Sequence, residues 1–250
     1  RPPRSTLFPY TTLFRSTSMI AYAPNAAIVQ VQTETGYETL LRAGRVPEVD
    51  YATVTNWPEL LTVVNDVASS SYGVLGIDAM GGAERLCHEL VCARDYKGDW
   101  SAKGFLNFMA GYDSSVAEWL KLLAALERAR ANNTHVVLLS HIKVATFRNP
   151  EGTDYDRYVA SVHHKTWAAT HGWADAVLFG KFVNVIVDET KVGKTQVKGK
   201  GIGGENRILY CTRRDTWDAK NRYGMPESID IKPDPATVWP TIAAYLTKGA

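Results

Sequence analysis

Short, nearly continuous apolar runs alternate with helix-length amphipathic segments over most of this chain. "NAAIVQVQTE" (Asn25–Glu34), "YGVLGIDAM" (Tyr72–Met80) and "THVVLLSHIK" (Thr134–Lys143) have the pattern of strands buried on both faces. Between them lie helical patterns. "NWPELLTVVNDVASS" starts with Asn56 as a cap and Pro58 in the first turn, and "GAERLCHELVCARD" follows the second run. "SVAEWLKLLAALERARANN" has Leu120, Leu123, Ala124 and Leu126 as its expected apolar face and Asn132–Asn133 as its stop. The glycine-rich "YKGDWSAKGFLNFMAGYDSS" reads as a loop with a short helical turn. "ADAVLFGKFVNVIVDE" and "ENRILYCTRRD" read as later strands joined by "KVGKTQVKGKGIGG", and "PATVWPTIAAYLTKG" as a closing helix. Strands separated by helices of 10–20 residues predict an α/β fold, a mostly parallel sheet flanked by helices. The strand-rich last third predicts antiparallel strands added at one edge.

In such sheets ligands bind beyond the carboxyl ends of the strands, so chemistry should follow the apolar runs. The three runs deliver Glu34, Asp78, and Ser140 with His141. If the strands are neighbours, these side chains converge on one rim. Asp78 after "VLGI" suits an aspartate that holds Mg²⁺ beside a nucleoside triphosphate; a helix-capping aspartate is the plainer reading. Glu34 suits a carboxylate that orients or deprotonates water, and His141 a donor to a terminal phosphate. Solvated or structural roles remain open for both.

Ahead of the first run, a phosphate-binding loop should read GxxxxGK followed by Ser or Thr, then enter a helix. Thr17 fits the last position, with Ser18 beside it. Ser16 stands where the lysine belongs, Arg15 and Tyr10 where the two glycines belong. Neither of those positions offers the close backbone approach that cradling phosphate needs.

Taken together, the "TS" helix start, "VQTETG", "VLGIDAMGGAERLCHE", "VVLLSHIKVATFRNPEG", "WADAVLFG" and "WDAKNRYGMP" resemble the RecA-like, AAA-type P-loop ATP-binding proteins of phages, some linked to single-strand annealing and recombination. The resemblance covers about Thr17 to Ile231. It implies a single RecA-like ATPase domain over residues 17–250, truncated at its N-terminus, with ATP and Mg²⁺ as cofactors. It implies Thr17 and Asp78 as metal-site residues, Glu34 as the water-activating carboxylate and His141 as the sensor. It also implies Lys220 and Arg222 as a Lys-x-Arg pair reaching into a neighbouring subunit's ATP site, where cations stabilise transferred phosphate. That arrangement implies a ring or filament. The expected setting is the host cytoplasm, with single-stranded DNA and a single-strand-binding or replication protein as partners. Residues 1–16 depart from the family: "TLFPYTTLFRS" resembles the translation of a common sequencing-library adapter. The expectation is that native sequence resumes at Thr17 and that the chain as written binds ATP poorly. Two other readings stay open, a non-hydrolysing nucleotide- or DNA-binding module and a small-molecule P-loop kinase.

Totals refine this picture only locally. The 250 residues carry a net charge of +2, so the chain as a whole is no polycation. Between Lys143 and Arg222, however, stand 14 Lys/Arg against 9 Asp/Glu. Lys143, Arg148, Arg157 and Lys165 interleave with Phe147, Tyr155, Tyr158 and Trp167, a pattern suited to single strands. Lys194, Lys198 and Lys200 add an acid-free stretch, which would serve equally as a charged hairpin tip. His163, His164 and His171 lack a Cys or carboxylate at metal-ligand spacing. Three cysteines without CxxC spacing predict buried, reduced thiols. No apolar run reaches membrane-spanning length.

Overall fold

A computed structural model describes residues 5–10, 16–32, 34–189 and 198–246, with backbone only for 5–10, 184–189 and 198–205. The strands are β1 (Ser5–Tyr10), β2 (Ala26–Val31), β3 (Asp50–Val54), β4 (Val74–Asp78), β5 (His135–Phe147), β6 (Tyr155–Ala160), β7 (Ala176–Val177), β8 (Phe179–Glu189), β9 (Lys198–Tyr210), β10 (Lys220–Asn221) and β11 (Ser228–Ile231). The helices are α1 (Ser16–Ala21), α2 (Gly36–Arg42), α3 (Trp57–Ala68), α4 (Met80–Tyr96), α5 (Ala110–Ala131), α6 (His164–Trp173) and α7 (Val238–Leu246).

The sheet runs β11-β9-β8-β1-β5-β4-β2-β3. From β1 to β3 every pairing is parallel. β9 is antiparallel to β8, and β11 to β9, so the added strands lie where the sequence put them. β7 lies parallel beside β1 and carries β10 antiparallel. This is the α/β arrangement of a RecA-like P-loop NTPase core.

The two-residue period of a strand sorts its side chains onto two layers. Val136 and Leu138 join Val29, Val31, Leu75, Ile77 and Val177 under α3, α4, α5 and α6. Val137 and Leu139 join Ile28, Val74, Ala176 and Leu178 under α1, α2 and α7. Close approach of α1 rests on Gly76 in β4, where an added Cβ would come 2.5 Å from Ile20 Cδ1. α3 is capped as expected, with Asn56 Oδ1 accepting from Glu59 N at 3.0 Å.

The structure departs from the sequence reading in the face of α5 and adds elements elsewhere. The apolar face of α5 is Trp119, Leu122, Leu123, Leu126 and Ala129; Ala124 is exposed and Leu120 is 49% exposed. α5 packs against α3, α4, α6 and β5, and the residues that meet them are the buried ones, leaving Leu120 half-exposed. β3 and α2 form in a stretch where no element was expected. β5 continues past the apolar run to Phe147 and turns back as β6, in register from Ile142↔Ala160 to Phe147↔Tyr155. Ser5–Tyr10, within the stretch expected to be foreign, pairs with β5 from Ser5↔Val136 to Tyr10↔His141 and lies between β5 and β8, a placement that leaves its origin open.

All three cysteines are free and buried. Among the described residues no helix is long and apolar enough to cross a membrane.

Trp119 stacks on Trp57 with ring centroids 5.8 Å apart and donates to Thr170 Oγ1 at 2.9 Å, tying α3, α5 and α6 together. Trp119→Ala is expected to cost about 3–5 kcal/mol, the usual result of emptying a buried indole site. Urea unfolding at equilibrium measures it; a loss under about 1 kcal/mol contradicts this account of the helical layer.

Candidate functional site

The order β5-β4-β2 makes the three apolar runs neighbours, and their carboxyl ends form one rim. Asp78 closes β4 and is only 3% exposed. A carboxylate so buried needs a partner, and Thr17 Oγ1 donates to its Oδ2 at 2.5 Å. Thr17 is the second residue of α1, so the helix delivers its hydroxyl to the strand end. Gly36, first in α2, faces the same point. A Cβ there would lie 3.8 Å from Thr17 Oγ1 and 4.0 Å from Asp78 Oδ2, and the glycine leaves that space clear.

The second pair is Glu34 and His141. Glu34 follows β2, His141 lies on β5, and Glu34 Oε1 and His141 Nε2 are 3.3 Å apart. The hydrogen bond to His141 holds the Glu34 carboxyl below its ordinary value, against the opposing effect of burial. The bond to Glu34 raises His141, assisted by the charges of Glu34 and Asp78 and opposed by burial. The influence of Asp78 on His141 links the two pairs. Ser140 is wholly buried and its hydroxyl donates to His141 O at 3.0 Å. Sequence reasoning missed Gln30. It is buried on β2 in register with Asp78, accepts from Tyr37 N at 3.0 Å and reaches Thr53 at 3.3 Å. A glutamine inside an apolar run was the available signal.

Thr17 and Asp78 are hard oxygen donors of the kind Mg²⁺ takes, and the side chain that Gly36 lacks would stand in contact with both. They would hold the ion, Asp78 directly or through water. The phosphate side fits less well. Ser16 is buried and is no lysine, and Ser18, at 2% exposed, offers no surface to a nucleotide. Arg15 lies outside the described residues, as does the side chain of Tyr10.

Lys220 and Arg222 do not join this rim. Lys220 lies level with Val177 and thus with Leu7 of β1, three residues below the rim position Tyr10, or about 10 Å at the rise of a strand. Its Nζ donates to the carbonyls of His171 at 2.8 Å and Gly172 at 3.1 Å, at the end of α6. Burial and neighbouring Arg222 push its pKa down. Arg222 pairs with Asp175 at 2.9 Å.

Of the expected DNA contacts, Lys143 and Arg148 are exposed on the hairpin and make no ion pair among the described residues. Arg157 needs correction. It is 9% exposed, its guanidinium donates to Asp218 Oδ1 at 2.6 Å, and it packs over Phe147. A cation neutralised in this way is not available to a phosphate. Lys165 is held by Asp113, joining the starts of α5 and α6. Lys194 lies outside the described residues; Lys198 and Lys200 are placed in β9 by backbone alone. His163 serves structure too, stacking on Tyr112 at 4.1 Å while its N–H bonds Glu84. No metal-binding group of three ligands occurs among the described residues.

A family model described as an AAA domain matches residues 16–223. The chain belongs to this AAA domain family. The family's match thus spans Thr17, Glu34, Asp78, His141, Lys220 and Arg222, and begins one residue before Thr17. No curated protein is similar enough in sequence to count as a relative. Among solved structures, a prototypical ATPase from the type III secretion system of pathogenic bacteria is similar, with 9% identity and a TM-score of 0.44. That similarity covers 71% of this AAA domain chain and 52% of the other, so the chain spans about half that structure's length.

Two predictions follow from the geometry. In NMR titration, His141 should titrate above its ordinary 6.5, and Glu34→Gln should lower that value because the attracting charge is gone. The raised His141 contributes stability below its unfolded value and loses that contribution as pH rises through its folded one. The depressed Glu34 contributes above its unfolded value and loses it on acidification. The pair is therefore strongest in mild acid, and because both groups are partly exposed it is worth under about 1 kcal/mol. An unchanged His141 titration in Glu34→Gln contradicts the pairing. Arg157→Ala should destabilise by about 3 kcal/mol, the low end for breaking a buried pair, since Asp218 keeps Trp167 Nε1 at 3.2 Å. Calorimetry reads the loss, and single-strand affinity of the folded variant should not change.

Proposed function

We propose that this AAA domain chain derives from an ATP-hydrolysing, single-stranded-DNA-binding protein of phage recombination or replication, working as a ring or filament with each site shared between subunits. The observation that carries the proposal is the meeting of two side-chain pairs, Thr17–Asp78 and Glu34–His141, on adjoining strand ends. Mg²⁺–ATP would supply the phosphoanhydride and the charge that binds it. Thr17 and Asp78 bind the cation. Glu34 orients water and takes its proton, and His141 competes for Glu34 and so sets when that carboxylate is free. Lys220 lies about 10 Å below its own rim, and Arg222, unlike the buried Arg157, stays half-exposed beside Asp175, so a phosphate that either meets belongs to a neighbour's site. His141 and the exposed Lys143 share β5, so a change at the sensor has a direct mechanical path to the hairpin.

One observation favours a second reading for the chain as written. With Ser16 where the phosphate loop's lysine belongs, the chain has the makings of a non-hydrolysing module. The family's match begins at Ser16, which supports a foreign origin for what precedes it.

Restoring a GxxxxGK sequence ahead of Thr17 separates the two. The restored chain should release phosphate from ATP faster in the presence of single-stranded DNA. Lys220→Ala and Glu34→Ala should each abolish turnover, and mixing the two should restore part of it, because one interface then holds an intact Glu34 and an intact Lys220. Melting temperatures control for the loss of the Lys220 contacts to α6. An inactive restored chain would leave the non-hydrolysing reading; turnover without rescue in any mixture would sink the shared site.

A further inference from the structure

Phe108 is 97% exposed, more than any other large apolar side chain among the described residues. Leu106 and Met109 are exposed beside it. The loop that carries them, between α4 and α5, is firmly built. Phe105 is buried among His88, Tyr96, Trp100 and Tyr112, with Trp100 closest at 4.8 Å between centroids. Phe105 N donates to Asp99 O at 2.7 Å, and Gly111 N to Phe105 O at 3.0 Å. Phe108 and Met109 both take left-handed backbone angles, φ 46° and 61°, which cost a residue with a side chain about 1–2 kcal/mol each. A sequence that holds an aromatic ring in water on a strained, anchored turn has a binding use for it.

The loop's net charge is only +1, from Lys97, Lys103 and Asp99, which is poor for a polyanion and adequate for a protein surface. It lies at the rim end of the molecule. The start of α5 is tied to the start of α6 by Asp113–Lys165 and Tyr112–His163, and α6 is tied by Glu84 to the first turns of α4, just beyond Asp78. At the other end of the sheet, where β2 and β3 begin, is an open cleft of about 550 Å³ lined by Ala21, Tyr22, Ala23, Pro47, Glu48 and Val49. That is ample for an aromatic anchor and its neighbours. Its lining includes two carboxylates, Glu48 and Asp50, and no cation.

We propose that Phe108 is the knob of a head-to-tail contact, seated with Leu106 and Met109 in the Ala21–Val49 cleft of a second copy of this chain. Knob and cleft are different surfaces at opposite ends. The contact is therefore heterologous, and copies add in one direction instead of pairing about a twofold axis. The same polarity turns the rim of one copy toward the lower part of the next, the level at which Lys220 and Arg222 lie. The inference rests on the shared-site reading above and names the surfaces that would hold the copies together.

Sedimentation of the full chain without nucleotide, over a wide concentration range, tests it. The average mass should grow with concentration. Phe108→Asp and Glu48→Arg, both at exposed positions, should each raise the concentration for assembly about a hundredfold, as expected for loss of an interface anchor, with melting temperatures unchanged. Mixed one to one, the two variants should form a dimer and stop, because one intact knob meets one intact cleft. Wild-type-like assembly of Phe108→Asp, or a mixture that stays monomeric, overturns the inference and leaves the shared site standing. A wild-type chain that stays monomeric throughout removes both.

Discussion

A buried carboxylate must be hydrogen-bonded or neutralised, and Asp78 is where that requirement shapes this molecule. It closes a strand flanked on both sides by parallel neighbours, and the hydroxyl of Thr17 satisfies it. To deliver that hydroxyl, α1 must begin at the strand end and lie close on β4, which Gly76 permits by leaving room for Ile20. The registers of β2 and β5 on β4, set by the apolar faces those strands bury, then bring Glu34 and His141 within contact. The two pairs share one rim, and each residue of the second shifts the other's pKa in the direction that keeps the pair ionised.

The parts of the fold that could be read from sequence are those where a single physical requirement dominates. Strands buried on both faces are apolar throughout, so β2, β4 and β5 stood out, and their ends located Glu34, Asp78 and His141. Helices with a cap and a stop, such as α3 and α5, stood out as well. What could not be read depends on tertiary context. β3 is an edge strand with mostly exposed residues, so "DYATV" carries little apolar signal. β5 beyond His141 leaves the core, and its exposed half looks like loop until β6 pairs with it. The face of α5 was misjudged at Leu120 because helical spacing alone does not say on how many sides a helix is contacted.

Charge shows the same limit more sharply. An excess of cations between Lys143 and Arg222 is a true property of the sequence, but a count does not distinguish a solvated cation from a paired one. Asp218 holds Arg157, Asp113 holds Lys165 and Asp175 holds Arg222. The acids stand 61, 52 and 47 residues away in sequence, and Arg222 meets Asp175 beside the β7–β10 pairing. What remains in the open on the hairpin is Lys143 and Arg148, a smaller electrostatic surface than the sequence suggested and one carried by a strand that also bears His141.

The N-terminal segment separates what a fold needs from what chemistry needs. Parallel pairing is made by main-chain groups, and many sequences can supply them; even Pro9, which lacks an N–H, costs a strand one bond at its own position. Ser5–Tyr10 can therefore occupy the central place beside β5 whatever its origin. Phosphate binding allows no such latitude, because it needs glycines that let backbone N–H groups converge and a lysine to meet the charge. Thr17, Glu34, Asp78 and His141 all come from beyond the N-terminal segment and hold one another in position without it. Side chains from four separate parts of the chain can in this way stay assembled at one rim whatever sequence precedes them, because the bonds that hold them are made among themselves.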